Sequence, residues 1–157
     1  MSNTNKYDAE ARSAARLGAV QSLYQMETAE TPVDQVISQF IDHRFGKEVD
    51  GVHLPEGDGI FFADLLGGIV EHQVSVDRNI SKVLVTGWKL ERLDATVRAI
   101  LRAGSYEILY RRDVPPKVVI SEYVRLSESF FEGDETSFVN GILDKLAHDH
   151  RADELAG

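Results

Sequence analysis

Cysteine is absent from the 157 residues. Disulfides, thiol nucleophiles, CxxC redox chemistry and thiolate zinc sites are therefore excluded, and a reducing cytosol is the natural setting. Long apolar runs are missing as well. Residues 60–70 are interrupted by Asp64 and fall far short of the ~20 residues a membrane span requires, and the opening "MSNTNKYDAEARSAAR" has no apolar signal core. These absences point to a soluble, untargeted, cytoplasmic chain that meets no membrane. Strand signals are scarce too, because the β-branched residues fall mostly at helical rather than alternating spacing, which gives an all-α expectation.

Catalytic signatures are also wanting. The sequence holds no P-loop, GxGxxG, GxSxG or HExxH, so it reads as a non-enzyme without cofactor or metal. His148, Asp149 and His150 come nearest to a ligand set, but two histidines at i and i+2 do not share a helix face, and they read as a solvated, fraying C-terminal tail. The acidic residues of 48–58 do not follow the EF-hand order of oxygen ligands and read as a solvated loop.

What is present is enough apolar side chain, 43% of residues, for one domain with a real core. The formal net charge of −9 is unevenly spread: residues 27–77 carry 11 acidic and 2 basic side chains, whereas residues 78–131 carry 10 basic and 6 acidic. An acidic segment of that kind repels nucleic acid and suits a basic protein instead.

Helical spacing places elements at about 8–26, at 33–41 with Thr31 as cap and Pro32 in the first turn, at 60–76 and briefly at 80–85, with a loop at 43–59 between them. In "KLERLDATVRAILRAGSYEILYRR" the residues Leu93, Val97, Ile100, Leu101, Ala103, Tyr106, Ile108 and Leu109 make a broad apolar face behind a cap at Asp94, which marks the central helix. Pro116 opens the next helix. After Gly133, Asp134 or Thr136 caps a last helix carrying Phe138, Val139, Ile142, Leu143 and Leu146.

Three features bear on function. Arg12 and Arg16 share a helix stripe with Ala19 and Leu23, so they either snorkel over the end of a bundle or present guanidinium forks to phosphate. Asn140 and Gly141, a strong turn pair elsewhere, must lie inside the last helix, since a turn would leave residues 142–147 as one isolated helical turn. A glycine there costs ~1 kcal/mol relative to alanine, so either a packed helix or a ligand wants the missing side chain. Phe138 is open between buried core and a ring that stacks under a base.

The segments "ARSAAR" and "AVQSLYQME", then "LERLDATVRAILRAGSYEILYRRDVPPKVVISEYVRLSESF", then "FVNGILDKLA" resemble the NusB family of transcription antitermination factors, over about residues 12–147. The resemblance implies an all-α NusB-like fold of two small helical bundles, about seven helices, within a single RNA-binding domain spanning 1–157, with sub-bundles at about 8–80 and 88–147. It implies a non-catalytic factor that binds single-stranded boxA-type RNA of ribosomal RNA transcripts together with ribosomal protein S10 (NusE). As part of the RNA polymerase antitermination complex, such a factor helps polymerase read through terminators. A homodimer is left open.

Matched motif by motif, Arg12, Arg16 and Tyr24 fall on the family's first-helix RNA segment. Asp134, Ser137, Phe138 and Asn140 fall on its RNA-contacting start of the last helix, with Gly141 as a position of close approach. Two departures reduce the expected affinity for free RNA: Ser13, Ala14 and Ala15 separate the two arginines where the family is often richer in arginine, and Ser137 stands where a lysine is common. A second reading follows, a helical protein-interaction module whose RNA affinity comes mainly from its basic partner. The NusB-like domain that accompanies RNA cytosine methyltransferases is set aside, because the chain has neither a Gly-rich cofactor loop nor a cysteine.

Overall fold

The apolar spacings that mark helices in the sequence become helices in the computed structural model, which describes residues 2–49, 52–53 and 56–156. The chain forms two compact units, Met1–Val70 and Glu71–Gly157. Seven α-helices are present among the described residues, so the all-α expectation holds.

The first unit contains α1 (Ser2–Ala29), α2 (Val33–His43) and most of α3 (Gly59–Glu71). The region read as a loop holds a small antiparallel hairpin, β1 (Glu48–Val49) and β2 (Val52–His53). Its core centres on three phenylalanines: the Phe62 ring lies 5.1 Å from Phe45 and 5.4 Å from Phe40, centroid to centroid. Gly18 admits the Phe45 ring, since a Cβ there would lie 2.7 Å from its Cζ. The cap of α2 is not Thr31. Pro32 occupies that position in an extended conformation (φ −60°, ψ 145°) and its carbonyl accepts from Val36 N–H at 3.2 Å, because the fixed proline φ is compatible with either side of a helix start.

The second unit contains α4 (Gln73–Val83), a 3₁₀ turn (Leu90–Arg92), α5 (Ala95–Tyr110), α6 (Pro116–Phe130) and α7 (Glu135–Ala156). Asp94 caps α5 as expected, its Oδ1 accepting from the N–H groups of Thr96 and Val97 at 2.8 and 3.1 Å. α5 packs against α4, α6 and α7, and Val97, Ile100, Leu101, Ala103, Tyr106 and Ile108 are buried, with Leu93 and Leu109 at the margin. Gly104 lets α7 close on α5: a Cβ there would stand 2.9 Å from Leu143 Cδ1. Two polar links lock the packing. Tyr123 donates to the buried Glu107 carboxylate at 2.5 Å, and Arg102 pairs through two bonds with Asp77 at 2.9 and 3.0 Å.

Two boundaries differ from the sequence reading. The helix expected over 60–76 ends at Glu71, and α4 runs on to Val83; His72 leaves the helical region (φ −104°, ψ 20°) while its ring stacks on Tyr110 at 4.2 Å. The C-terminal segment is not a fraying tail. His148, Asp149 and His150 lie on α7, and the His148 ring Nδ1 sits 2.9 Å from the Asp144 carbonyl. The cause is Arg151, fully buried at a kink in the helix (φ −141°, ψ 40°), which donates to the Arg112 carbonyl at 3.1 Å and pairs with Glu154. That anchor holds a segment whose own residues carry little apolar signal.

Candidate nucleic-acid interface

The sequence-derived site residues fall into two groups, one in each unit. In the first unit α1 buries a stripe of small residues, Ala11, Ala14, Ala15 and Ala19. The two arginines that border it both lie over one ring, the Arg12 guanidinium 4.5 Å and that of Arg16 5.0 Å from the Phe61 centroid. Such stacking combines cation–π attraction with burial of the aliphatic stem. Arg16 is only 3% exposed, so of the two alternatives open for it, packing into the fold is the one realised. Arg12 keeps 37% of its side chain exposed but approaches Asp58, Nε to Oδ2 3.9 Å. Asp58 is fixed in turn: its N–H donates to the Ala11 carbonyl at 3.0 Å and its Oδ1 caps α3 through Phe61 N–H at 3.0 Å. Tyr24, further along α1, is 47% exposed.

In the second unit Asp134, Ser137, Asn140 and Gly141 are exposed at the start of α7. Phe138 is half-buried, and its ring packs on Trp88 with centroids 5.5 Å apart and planes 31° from parallel. It is neither core nor free. The two rings border a groove of about 310 Å³ with an apolar floor at Leu93 and Val97 and carboxylates from Asp94, Asp134 and Glu135. Asn140 does not share it. That side chain lines a second groove, of about 430 Å³, between α6 and α7 with Lys117, Ile120 and His148.

Gly141 corrects one of the two readings offered for it. A Cβ at that position would meet nothing within 4 Å, so no helix of the chain needs the space; the packing glycine of this unit is Gly104. Sequence reasoning also missed Trp88. It is 55% exposed and follows Gly87 at φ +93° in the turn after α4. The available signal was a lone tryptophan between Gly87 and Lys89, a polar setting in which so large an apolar surface is unusual.

None of the described helices is long and apolar enough to cross a membrane, and the described residues include no cluster of three potential metal ligands. The site is therefore built from rings, carboxylates and cations.

The chain matches the NusB family over residues 13–148. It is 56% identical over 140 residues to the transcription antitermination protein NusB of Caulobacter vibrioides, covering 89% of this chain and 94% of that one. It is 49% identical over 144 residues to that of Maricaulis maris, covering 92% and 90%. Among solved structures it resembles NusB of T. maritima, with a TM-score of 0.77, 26% identity and coverage of 93% and 97%. It also resembles a chain in the crystal structure of a plectonemic RNA supercoil, with a TM-score of 0.74, 23% identity and coverage of 87% and 94%, a likeness of fold.

Proposed function

The chain belongs to the NusB family, and on that premise we propose that it is a non-catalytic antitermination factor that binds single-stranded boxA-type RNA of ribosomal RNA transcripts together with ribosomal protein S10. The observation that carries the RNA reading is the exposed Trp88–Phe138 ring pair beside the polar start of α7. Single strands are held by aromatic rings under bases, polar groups on base edges and cations on phosphates. Asp134, Ser137 and Asn140 supply the polar groups.

The cations of α1 are the weak part, which favours the second reading to a definite degree. With Arg16 buried and Arg12 near Asp58, the first unit offers phosphate little free positive charge, and the 11 acidic residues of 27–77 oppose it. A basic partner that brings its own cations would offset both. The test is a titration of a boxA-type RNA at fixed salt, with and without S10. Tight binding only with S10 supports partner-supplied affinity. Equal affinity in both cases removes that coupling, and no binding in either removes the RNA function.

A further inference from the structure

The groove between the 3₁₀ turn and the start of α7 carries more chemistry than a stacking surface needs. Trp88 and Phe138 form its aromatic side. Of its three carboxylates, Asp94 is already used as the α5 cap, Asp134 is exposed, and Glu135 Oε2 is buried without a hydrogen-bond partner. An unsatisfied buried acceptor calls for a donor. Adjacent in the chain to Trp88 and to Leu93 stand Lys89 and Arg92, both exposed and neither in a salt bridge among the described residues.

We propose that this groove is a base-reading slot for a guanine of single-stranded RNA, stacked on Trp88 and Phe138, with its Watson–Crick edge on the Asp134 and Glu135 carboxylates. The inference rests on the RNA-binding reading above and adds a base identity and new residues to it. Guanine presents N1–H and the 2-amino group side by side, two donors that match carboxylate acceptors. Adenine and cytosine present one amino donor next to an acceptor, and uracil presents one N–H between two carbonyls that a carboxylate repels. The flanking Lys89 and Arg92 supply phosphate contacts that the α1 arginines do not. They also repel a cationic peptide, which the carboxylates alone would have welcomed, and this decides for an anionic strand over an arginine from a protein.

Trp88 is the chain's one tryptophan, so its fluorescence reports on the slot without a label. The full chain is titrated at low salt with three octamers: all-uridine, uridine with one central guanosine, and uridine with one central inosine, which lacks the 2-amino group. Anisotropy of end-labelled RNA is recorded in parallel. The guanosine strand is expected to quench Trp88 and to bind about tenfold more tightly than all-uridine, with inosine losing most of that preference. The double variant Asp134→Asn/Glu135→Gln is expected to erase the preference for guanosine whatever it does to the all-uridine affinity. Equal affinities for the three strands with Trp88 unquenched would overturn the slot while leaving RNA binding intact. No binding of any strand, even with S10 present, would overturn slot and RNA reading together. Quenching by an arginine-rich peptide but by none of the RNAs would assign the groove to a protein and overturn the proposal.

Discussion

Arg16 and Phe61 form a buried cation–π pair: the guanidinium stands 5.0 Å from the ring centroid and the residue is 3% exposed. An arginine that the sequence offers to phosphate is thus first a packing residue. Arg16→Ala is expected to cost about 1–3 kcal/mol of stability through lost ring contact and stem burial. Arg12→Ala, at a side chain 37% exposed, should cost less than about 1 kcal/mol. Urea unfolding of both variants checks the order; equal small losses would show that Arg16 is not integral to the fold.

The two glycines of the second unit should respond oppositely to alanine. At Gly141 a Cβ meets nothing, so Gly141→Ala should stabilise by up to ~1 kcal/mol through helix propensity alone. At Gly104 the new methyl would stand 2.9 Å from Leu143 Cδ1 and 3.3 Å from Tyr123 Cδ2, both side chains fully buried. Overpacking there, about 1–3 kcal/mol, outweighs the propensity gain. Thermal unfolding gives the signs. If Gly141→Ala is stable yet binds RNA or S10 more weakly, the open face of α7 is where another molecule comes close.

Glu154 gives the C-terminal anchor a pH dependence. The hydrogen bond from Arg151, with the charges of Arg151 and Arg112, holds its carboxyl below the ordinary range against a contrary push from desolvation. A carboxylate depressed in the folded state stabilises above its unfolded pKa, about 4.3, and loses that contribution as pH falls through the folded value. Wild type should therefore exceed Glu154→Gln in stability at pH 7, with the gap closing below about pH 4. Parallel denaturant melts at the two pH values check this; a gap independent of pH would show that the charge is not what matters.

How far the sequence could be read depended on how local the signals were. The Asp94 cap, the Pro116 start and the placement of Asn140–Gly141 inside a helix rest on neighbours within one or two turns, and all three stand in the structure. The break at His72 has no glycine or proline to announce it and coincides with stacking on Tyr110, far along the chain. The helical continuation past Ala147 depends on Arg151 reaching the Arg112 carbonyl, 39 residues away. The candidate site divides in the same way. Phe138 and Asp134 were visible as parts of a motif, whereas Trp88 acquires meaning only when folding sets it against Phe138.

That contact also sets the cost of removing the ring. Phe138 is half-buried against Trp88, so Phe138→Ala should cost less stability than the roughly 3–5 kcal/mol of a core phenylalanine. It should lower RNA affinity by roughly 1–3 kcal/mol if a base stacks there. Chemical denaturation and RNA titration of the same preparation separate the two effects, and a full core-sized stability loss would return Phe138 to the interior.

Phosphate contacts remain to be located, and salt dependence distinguishes them from stacking. Each cation on a single-stranded phosphate contributes about 0.7 to the slope of log K against log salt. If Lys89 and Arg92 hold the strand beside the Trp88 groove, replacing both with alanine should flatten that slope by about 1.4 and weaken all sequences alike. Arg16→Ala, which removes a buried charge, should leave the slope unchanged. Phe138→Ala should do likewise while lowering affinity, because a ring releases no counterions. RNA titrations at four or more salt concentrations decide among these. A slope flattened by Arg16→Ala but not by the Lys89 and Arg92 substitutions would move the phosphate path to α1, where Arg16 would have to leave Phe61 to reach the strand.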